Sequence, residues 1–129
     1  MFKIAVLVSG GGTDLQSILD AIEDKKLTDC KVSYIVADRE CRALERAKKY
    51  NIPFCILKKG ELNQFFQEKD MDLIVLAGYL SILPSDFLQR WEKKIINIHP
   101  SLLPKFGGKG MHGNHVHKAV LAAKEEKSG

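Results

Sequence analysis

Lys3-Ile4-Ala5-Val6-Leu7-Val8-Ser9-Gly10-Gly11-Gly12-Thr13-Asp14-Leu15-Gln16 decides the fold class. Residues 3–8 are apolar and β-branched and run into three glycines, which reads as a buried first strand entering a turn. A helix follows at once. Thr13 and Gln16 have the spacing of a capping box, and Leu15, Ile18, Leu19 and Ile22 fall at i, i+3, i+4 and i+7 on one face. Lys25 and Lys26 suit the C-terminal end of that helix. A strand, a glycine turn and a capped helix aim free N–H groups and the positive end of a helix dipole into the turn, where phosphate is the natural guest. Leu15 stands where the dinucleotide pattern has its third glycine, and no Gly-Lys-Ser/Thr closes a P-loop. The turn therefore suits one phosphate; a turn serving only the tight passage from strand to helix is the plainer alternative.

The same alternation continues along the chain. Residues 32–37 form a second apolar strand ending at Asp38, which is expected to be a solvent-exposed turn acid; a ribose-holding acid of an NAD-type enzyme is the alternative at that place. Residues 41–50 follow as a basic helix with Ala43, Leu44 and Ala47 on one side. Asn51-Ile52-Pro53 breaks it, residues 54–57 give a short strand ended by Lys58 and Lys59, and residues 61–68 a short helix. Residues 73–77 are a fourth apolar strand closed by Gly78. Tyr79-Leu80-Ser81-Ile82-Leu83-Pro84 then stays apolar outside any element, as a pocket wall or a loop packed under a helix. Residues 85–91 read as a short helix with Ser85 as its N-cap.

Ile95-Ile96-Asn97-Ile98-His99-Pro100-Ser101-Leu102-Leu103-Pro104 supplies the chemistry. Side chains alternate along a strand, so Asn97 and His99 share one face and Ile96 and Ile98 pack on the other. Pro100 has no N–H for a central ladder, so the strand stops with His99 at its carboxyl end, the edge where open parallel sheets bind ligands. An imidazole titrating near pH ~6.5 serves as acid or base, and a carboxamide can donate to a carbonyl oxygen gaining charge. Together they suit acyl transfer. Further on, residues 106–110 are a glycine-rich loop and residues 114–124 a helix. Its His115 and His117 lie about 200° apart around the axis, so a zinc site formed with His112 is not expected.

At 129 residues, 45% hydrophobic and 28% charged, the chain matches one soluble globular domain. The apolar stretch at residues 4–8 is too short for a secretory core, and no run approaches the ~20 residues of a membrane span, so a cytoplasmic protein is expected. Cys30, Cys41 and Cys55 are odd in number and lack C-x-x-C spacing, which argues against a disulfide framework or a zinc site. A net charge of +4 favours small anionic substrates, and the basic residues are not interleaved with aromatics as in a nucleic-acid module. Oligomeric state, a homodimer included, stays open.

Three stretches together resemble one family: residues 8–16, residues 76–83 and residues 97–104. They are similar to the folate-dependent phosphoribosylglycinamide formyltransferases (GAR transformylases) of purine synthesis, and the likeness runs along the whole chain. The resemblance implies a Rossmann-like three-layer α/β fold with a mostly parallel sheet. It also implies transfer of a formyl group from 10-formyltetrahydrofolate, the co-substrate, to the amine of 5-phosphoribosylglycinamide in de novo purine (IMP) biosynthesis, without a metal. Gly12, Thr13 and Asp14 match the family's cradle for the ribose phosphate, Leu80, Ser81, Ile82 and Leu83 with Asn97 match the folate site, and Asn97 and His99 match the catalytic pair.

In this family a carboxylate further along orients the histidine; here no Asp follows Asp86, and only Glu125 and Glu126 follow His99. Residues 1–129 are thus expected to be a single N-terminal formyltransferase-like domain, truncated before the family's C-terminal segment, that binds phosphoribosyl ligands but turns over weakly. Methionyl-tRNA formyltransferase and formyltetrahydrofolate hydrolase share the Asn-x-His-Pro motif and are the nearest rivals. A non-catalytic phosphoribosyl-binding fragment is the alternative of another class.

Overall fold

In the computed structural model, which describes residues 2–98, strands and helices alternate along the chain. They are β1 (Phe2–Val8), α1 (Thr13–Glu23), β2 (Cys30–Ala37), α2 (Ala43–Lys49), β3 (Phe54–Ile56), α3 (Leu62–Gln67), β4 (Leu73–Ala77), α4 (Ser85–Arg90) and β5 (Ile95–Ile98). A 3₁₀ turn at Lys59–Glu61 leads into α3. His99, the Pro100–Pro104 part of the motif, the glycine-rich loop at 106–110 and the helix expected at 114–124 lie outside the described residues.

The five strands form a parallel sheet in the order β3-β2-β1-β4-β5. Alternation along β1 sorts the core into two layers. Ile4, Val6 and Val8 pack with Leu15, Ile18 and Leu19 of α1 and with Ala43, Leu44 and Ala47 of α2. Ala5 and Leu7 pack on the other face with Leu62 and Phe66 of α3, Phe87 of α4 and Trp91. Both faces of β1 and β4 are covered, which is why residues 4–8 and 73–77 are apolar throughout rather than alternating. Ile96 and Ile98 belong to the α1/α2 side and Ile95 to the other, so Asn97 takes the face expected from its spacing.

Register brings the strand ends level. Val8 pairs with both Ala37 and Ala77, and Ala77 pairs with Ile98. The chain builds outward from β1 to β3, then crosses back to lay β4 on the opposite side of β1. The order of strands therefore reverses between β1 and β4, and the loops leaving their carboxyl ends diverge to opposite faces. That crevice is where open α/β sheets take their ligands.

Three local expectations fail, the first because tertiary partners win over a local one. The capping box does not form: the cap of α1 is Gly12, without a side-chain hydrogen bond. Gln16 instead donates through Nε2 to Asp20 Oδ1 at 2.8 Å and to the Tyr50 hydroxyl at 2.9 Å, and accepts from Arg46 Nη1 at 2.7 Å. Ser85 is the first residue of α4 rather than its cap, which is Pro84. Lys25 and Lys26 lie beyond the last turn of α1: Lys25 takes a left-handed φ of 62° and the Lys26 N–H reaches back to the Ala21 carbonyl. They end the helix by geometry, not by charge.

Two substitutions test this packing. Phe87 is fully buried, 5.9 Å from Phe66 and 6.3 Å from Trp91 between ring centroids. Phe87→Ala is expected to cost about 3–5 kcal/mol in urea unfolding, whereas Leu88→Ala next to it, on an exposed position, costs less than about 1 kcal/mol. Gly12 has φ 82°, and a Cβ there would stand 2.9 Å from the Ala43 Cβ. Gly12→Ala is expected to lose roughly 1–3 kcal/mol by the same measurement, from a strained φ plus displacement of α2.

Candidate functional site

The site is built at the level ends of β1, β2, β4 and β5. Residues 9–12 leave β1 and double back into α1, and α2 closes on this turn from one side. The Gly10 carbonyl accepts from the Ala43 N–H at 3.1 Å, and the Gly11 carbonyl accepts from Arg46 Nε at 2.9 Å. Every described peptide bond is trans, and in a trans peptide the N–H points opposite to the C=O. The N–H groups of Gly11 and Gly12, which share those two peptides, therefore point away from α2. Both lie at the start of α1, whose dipole adds positive potential at the same spot. This turn presents aligned donors to an anion, and α2 holds them in place.

Thr13 is exposed at the first position of α1, and its carbonyl accepts from the Ser17 hydroxyl at 3.2 Å. Asp14 is only 5% exposed, in the first turn, where a negative charge complements the dipole. Gly12 is the residue under α2. These three expected phosphate-site residues are thus brought to one helix start, with Thr13 the member open to solvent.

On the other side of the crevice, Gly78 takes φ 70° and turns the chain out of β4. The following residues alternate. Tyr79 is buried, Leu80 is 69% exposed, Ser81 is half-buried, Ile82 is 81% exposed, and Leu83 turns back into the α3/α4 core. Of the four residues expected to form an apolar wall, Leu80 and Ile82 present it, and the Leu83 side chain packs inward instead. Asn97 is exposed at the end of β5, paired in register with Leu76.

Asp38 corrects its expectation. It is no solvent-exposed turn acid: its side chain is 3% exposed. Arg39 donates to it through Nε and Nη2, both at 3.0 Å, and the Ser81 hydroxyl donates at 2.5 Å. Burial pushes this carboxyl up, but the hydrogen bonds from Arg39, Ser81 and Ser9 outweigh that and hold it below the usual carboxylate value. Its oxygens are engaged within the protein rather than offered to a ribose. The Tyr79 phenol is pushed up, first by burial and then by the neighbouring Asp38 charge.

Sequence reading missed Asp38, Ser9 and Arg46 as parts of this edge. A signal for the first two existed: each is the polar residue directly after an apolar strand, and the two strands are neighbours. Arg46 carried a weaker one, three residues after Ala43 on the buried side of α2.

Among the described residues no group of His, Cys, Asp and Glu could hold a metal ion, and no helix is long and apolar enough to cross a membrane. A hollow lined by Tyr34, Lys48, Asn51, Pro53 and Phe54 contains none of the candidate residues.

Comparison with known proteins fits this geometry. Phosphoribosylglycinamide formyltransferase of Haemophilus influenzae is 43% identical over 119 residues, covering 84% of this chain and 56% of that protein. The chloroplastic phosphoribosylglycinamide formyltransferase of Arabidopsis thaliana is 36% identical over 138 residues, covering 98% of this chain and 47% of that protein. Among solved structures, glycinamide ribonucleotide transformylase 1 from Geobacillus kaustophilus superposes with a TM-score of 0.71 at 36% identity, covering 84% of this chain and 63% of that one. The chain spans about half the length of these protein relatives. With the formyl transferase family model matching residues 2–129 as well, the chain belongs to the formyl transferase family.

Proposed function

We propose that this chain serves phosphoribosylglycinamide formyl transfer: the formyl group of 10-formyltetrahydrofolate passes to the amine of 5-phosphoribosylglycinamide in purine biosynthesis. The observation that carries the reading is the pair of peptide N–H groups at Gly11 and Gly12, aimed away from α2 at the start of α1, a suitable seat for a sugar phosphate. Thr13 adds a hydroxyl at the open side. Leu80 and Ile82 supply an apolar surface across the crevice for the flat ring system of the folate.

In this reading the substrate amine attacks the formyl carbon and the carbonyl oxygen takes up charge in a tetrahedral intermediate. The Asn97 amide donates to that oxygen, and His99, by the motif it shares with Asn97, takes the proton from the attacking nitrogen and returns it to the folate nitrogen as the C–N bond breaks. No metal enters the scheme. The reading places the chain in the cytoplasm, in keeping with three cysteines, Cys30, Cys41 and Cys55, that lack the number and spacing of a disulfide framework. Its partners are small molecules rather than nucleic acid, in keeping with the modest charge.

Isothermal titration tests the reading. The chain is expected to bind glycinamide ribonucleotide and, separately, tetrahydrofolate; binding of phosphate compounds without any folate would favour a phosphoribosyl-binding module instead. The cradle has its own test. Arg46→Ala frees the Gly11 carbonyl and is expected to weaken glycinamide ribonucleotide binding about tenfold, one charged hydrogen bond's worth. Arg46→Lys does not restore it, because a single ammonium cannot reproduce the guanidinium fork that holds both Gly11 and Gln16.

A further inference from the structure

Asp38 takes no part in the mechanism above, yet it joins three segments of the sheet edge. It follows β2, receives the Ser81 hydroxyl from the segment after β4, and is neighboured by Ser9 at the end of β1, whose hydroxyl helps to keep it ionised. Ser9 in turn accepts the Leu80 N–H at 2.7 Å. The segment after β4 is thus held at two consecutive residues, by its backbone at Leu80 and by its side chain at Ser81. Arg39 secures the carboxylate from the solvent side, with about half of its own side chain exposed.

This has a consequence for Leu80 and Ile82. Burial alternates along residues 79–83, and with Ser81 drawn inward its two neighbours face outward. Each large apolar side chain kept in water forgoes the free energy of burial, so an untethered segment gains by folding them down. The inward pull on Ser81 opposes that collapse. We propose that Asp38 is a positioning residue for the folate. Through Ser81 it holds Leu80 and Ile82 open as a preformed apolar surface on which a flat heteroaromatic ring can lie. The inference rests on reading residues 80–82 as the folate-facing wall. The groups around the carboxylate that carry charge or titrate are Arg39 and Tyr79, with Cys41 beside Arg39. Held ionised by its donors, Asp38 remains an acceptor for Ser81 at neutral pH.

The test uses Ser81→Ala, Asp38→Asn and Ser81→Thr, each titrated with tetrahydrofolate and, on the same sample, with glycinamide ribonucleotide. Hydrogen exchange of the Leu80 amide is followed in parallel. Expected are about tenfold weaker tetrahydrofolate binding in Ser81→Ala and Asp38→Asn, glycinamide ribonucleotide binding within twofold of the parent in Ser81→Ala, and at least tenfold faster exchange at Leu80. Ser81→Thr, which keeps the hydroxyl, retains parental values. Should Asp38→Asn fail to fold, Ser81→Ala carries the test alone. Unchanged tetrahydrofolate affinity in Ser81→Ala overturns the proposal, as does equal loss of both ligands, the mark of general loosening. A parent chain that binds no tetrahydrofolate strikes down the functional reading instead. Leu80 exchange then decides the tether by itself: unchanged rates in Ser81→Ala overturn it.

Discussion

The arrangement depends on how closely α2 can approach the turn between β1 and α1. Gly12 takes a left-handed φ and carries no Cβ, so Ala43 and Arg46 reach the turn at distances a larger residue would block. That approach lets Ala43 and Arg46 bind the Gly10 and Gly11 carbonyls, and peptide planarity then fixes the opposite direction for the N–H groups. Donor orientation at the front of the turn is therefore set from behind it. A preformed cradle has less to order when an anion arrives, which is where preorganised sites gain affinity.

The opposite wall is held by other means. Tyr79 and Leu83 pack the segment after β4 into the α3/α4 core, and between them two hydrogen bonds to polar residues at the ends of β1 and β2 hold it. A buried carboxylate with several donors is a stiff anchor, because leaving any of those partners unmade exposes the cost of burying the charge. The two walls are also joined. Ser9 directly precedes the glycines and accepts from Leu80, 71 residues later in the chain, so one short bond spans the floor between turn and apolar segment.

Much of this was legible because it follows from periodicity. The strands, the buried face of α1 and the side on which Asn97 emerges need only alternation of two or 3.6 residues, and packing on both sheet faces reinforces them. What failed were assignments resting on short-range polar pairs. Gln16 has the spacing to cap its own helix, but Arg46 and Tyr50, some thirty residues on, compete for it and win. Asp38 looked like a turn acid because its partner Ser81 is 43 residues away, in the segment after β4, a strand on the far side of β1 from β2. A lone polar residue after a strand gives no hint of its partner; two of them on adjacent strands do.

On the proposed reading, strand order turns these local facts into a reaction site. β1 carries the glycine turn, its neighbour β4 carries the apolar segment, and β5 beyond it carries Asn97. Neighbouring strands lie about 4.8 Å apart, so an anion-holding turn and an amide donor two strands away are separated by roughly 10 Å across the sheet edge. A phosphorylated ribose bearing a glycinamide arm has about that reach. Acyl transfer between two bound molecules needs both held so that nucleophile and carbonyl meet within van der Waals distance, and the larger part of its acceleration comes from that positioning and from donors aimed at the developing oxyanion. Were a phosphate anchored above β1 and a flat ring laid against Leu80 and Ile82, as proposed, the space left for the reacting carbon would lie above the ends of β4 and β5. Under the proposed function a carboxamide from β5 would have an oxygen to stabilise there, which ties the role proposed for Asn97 to the two walls rather than to its own strand alone.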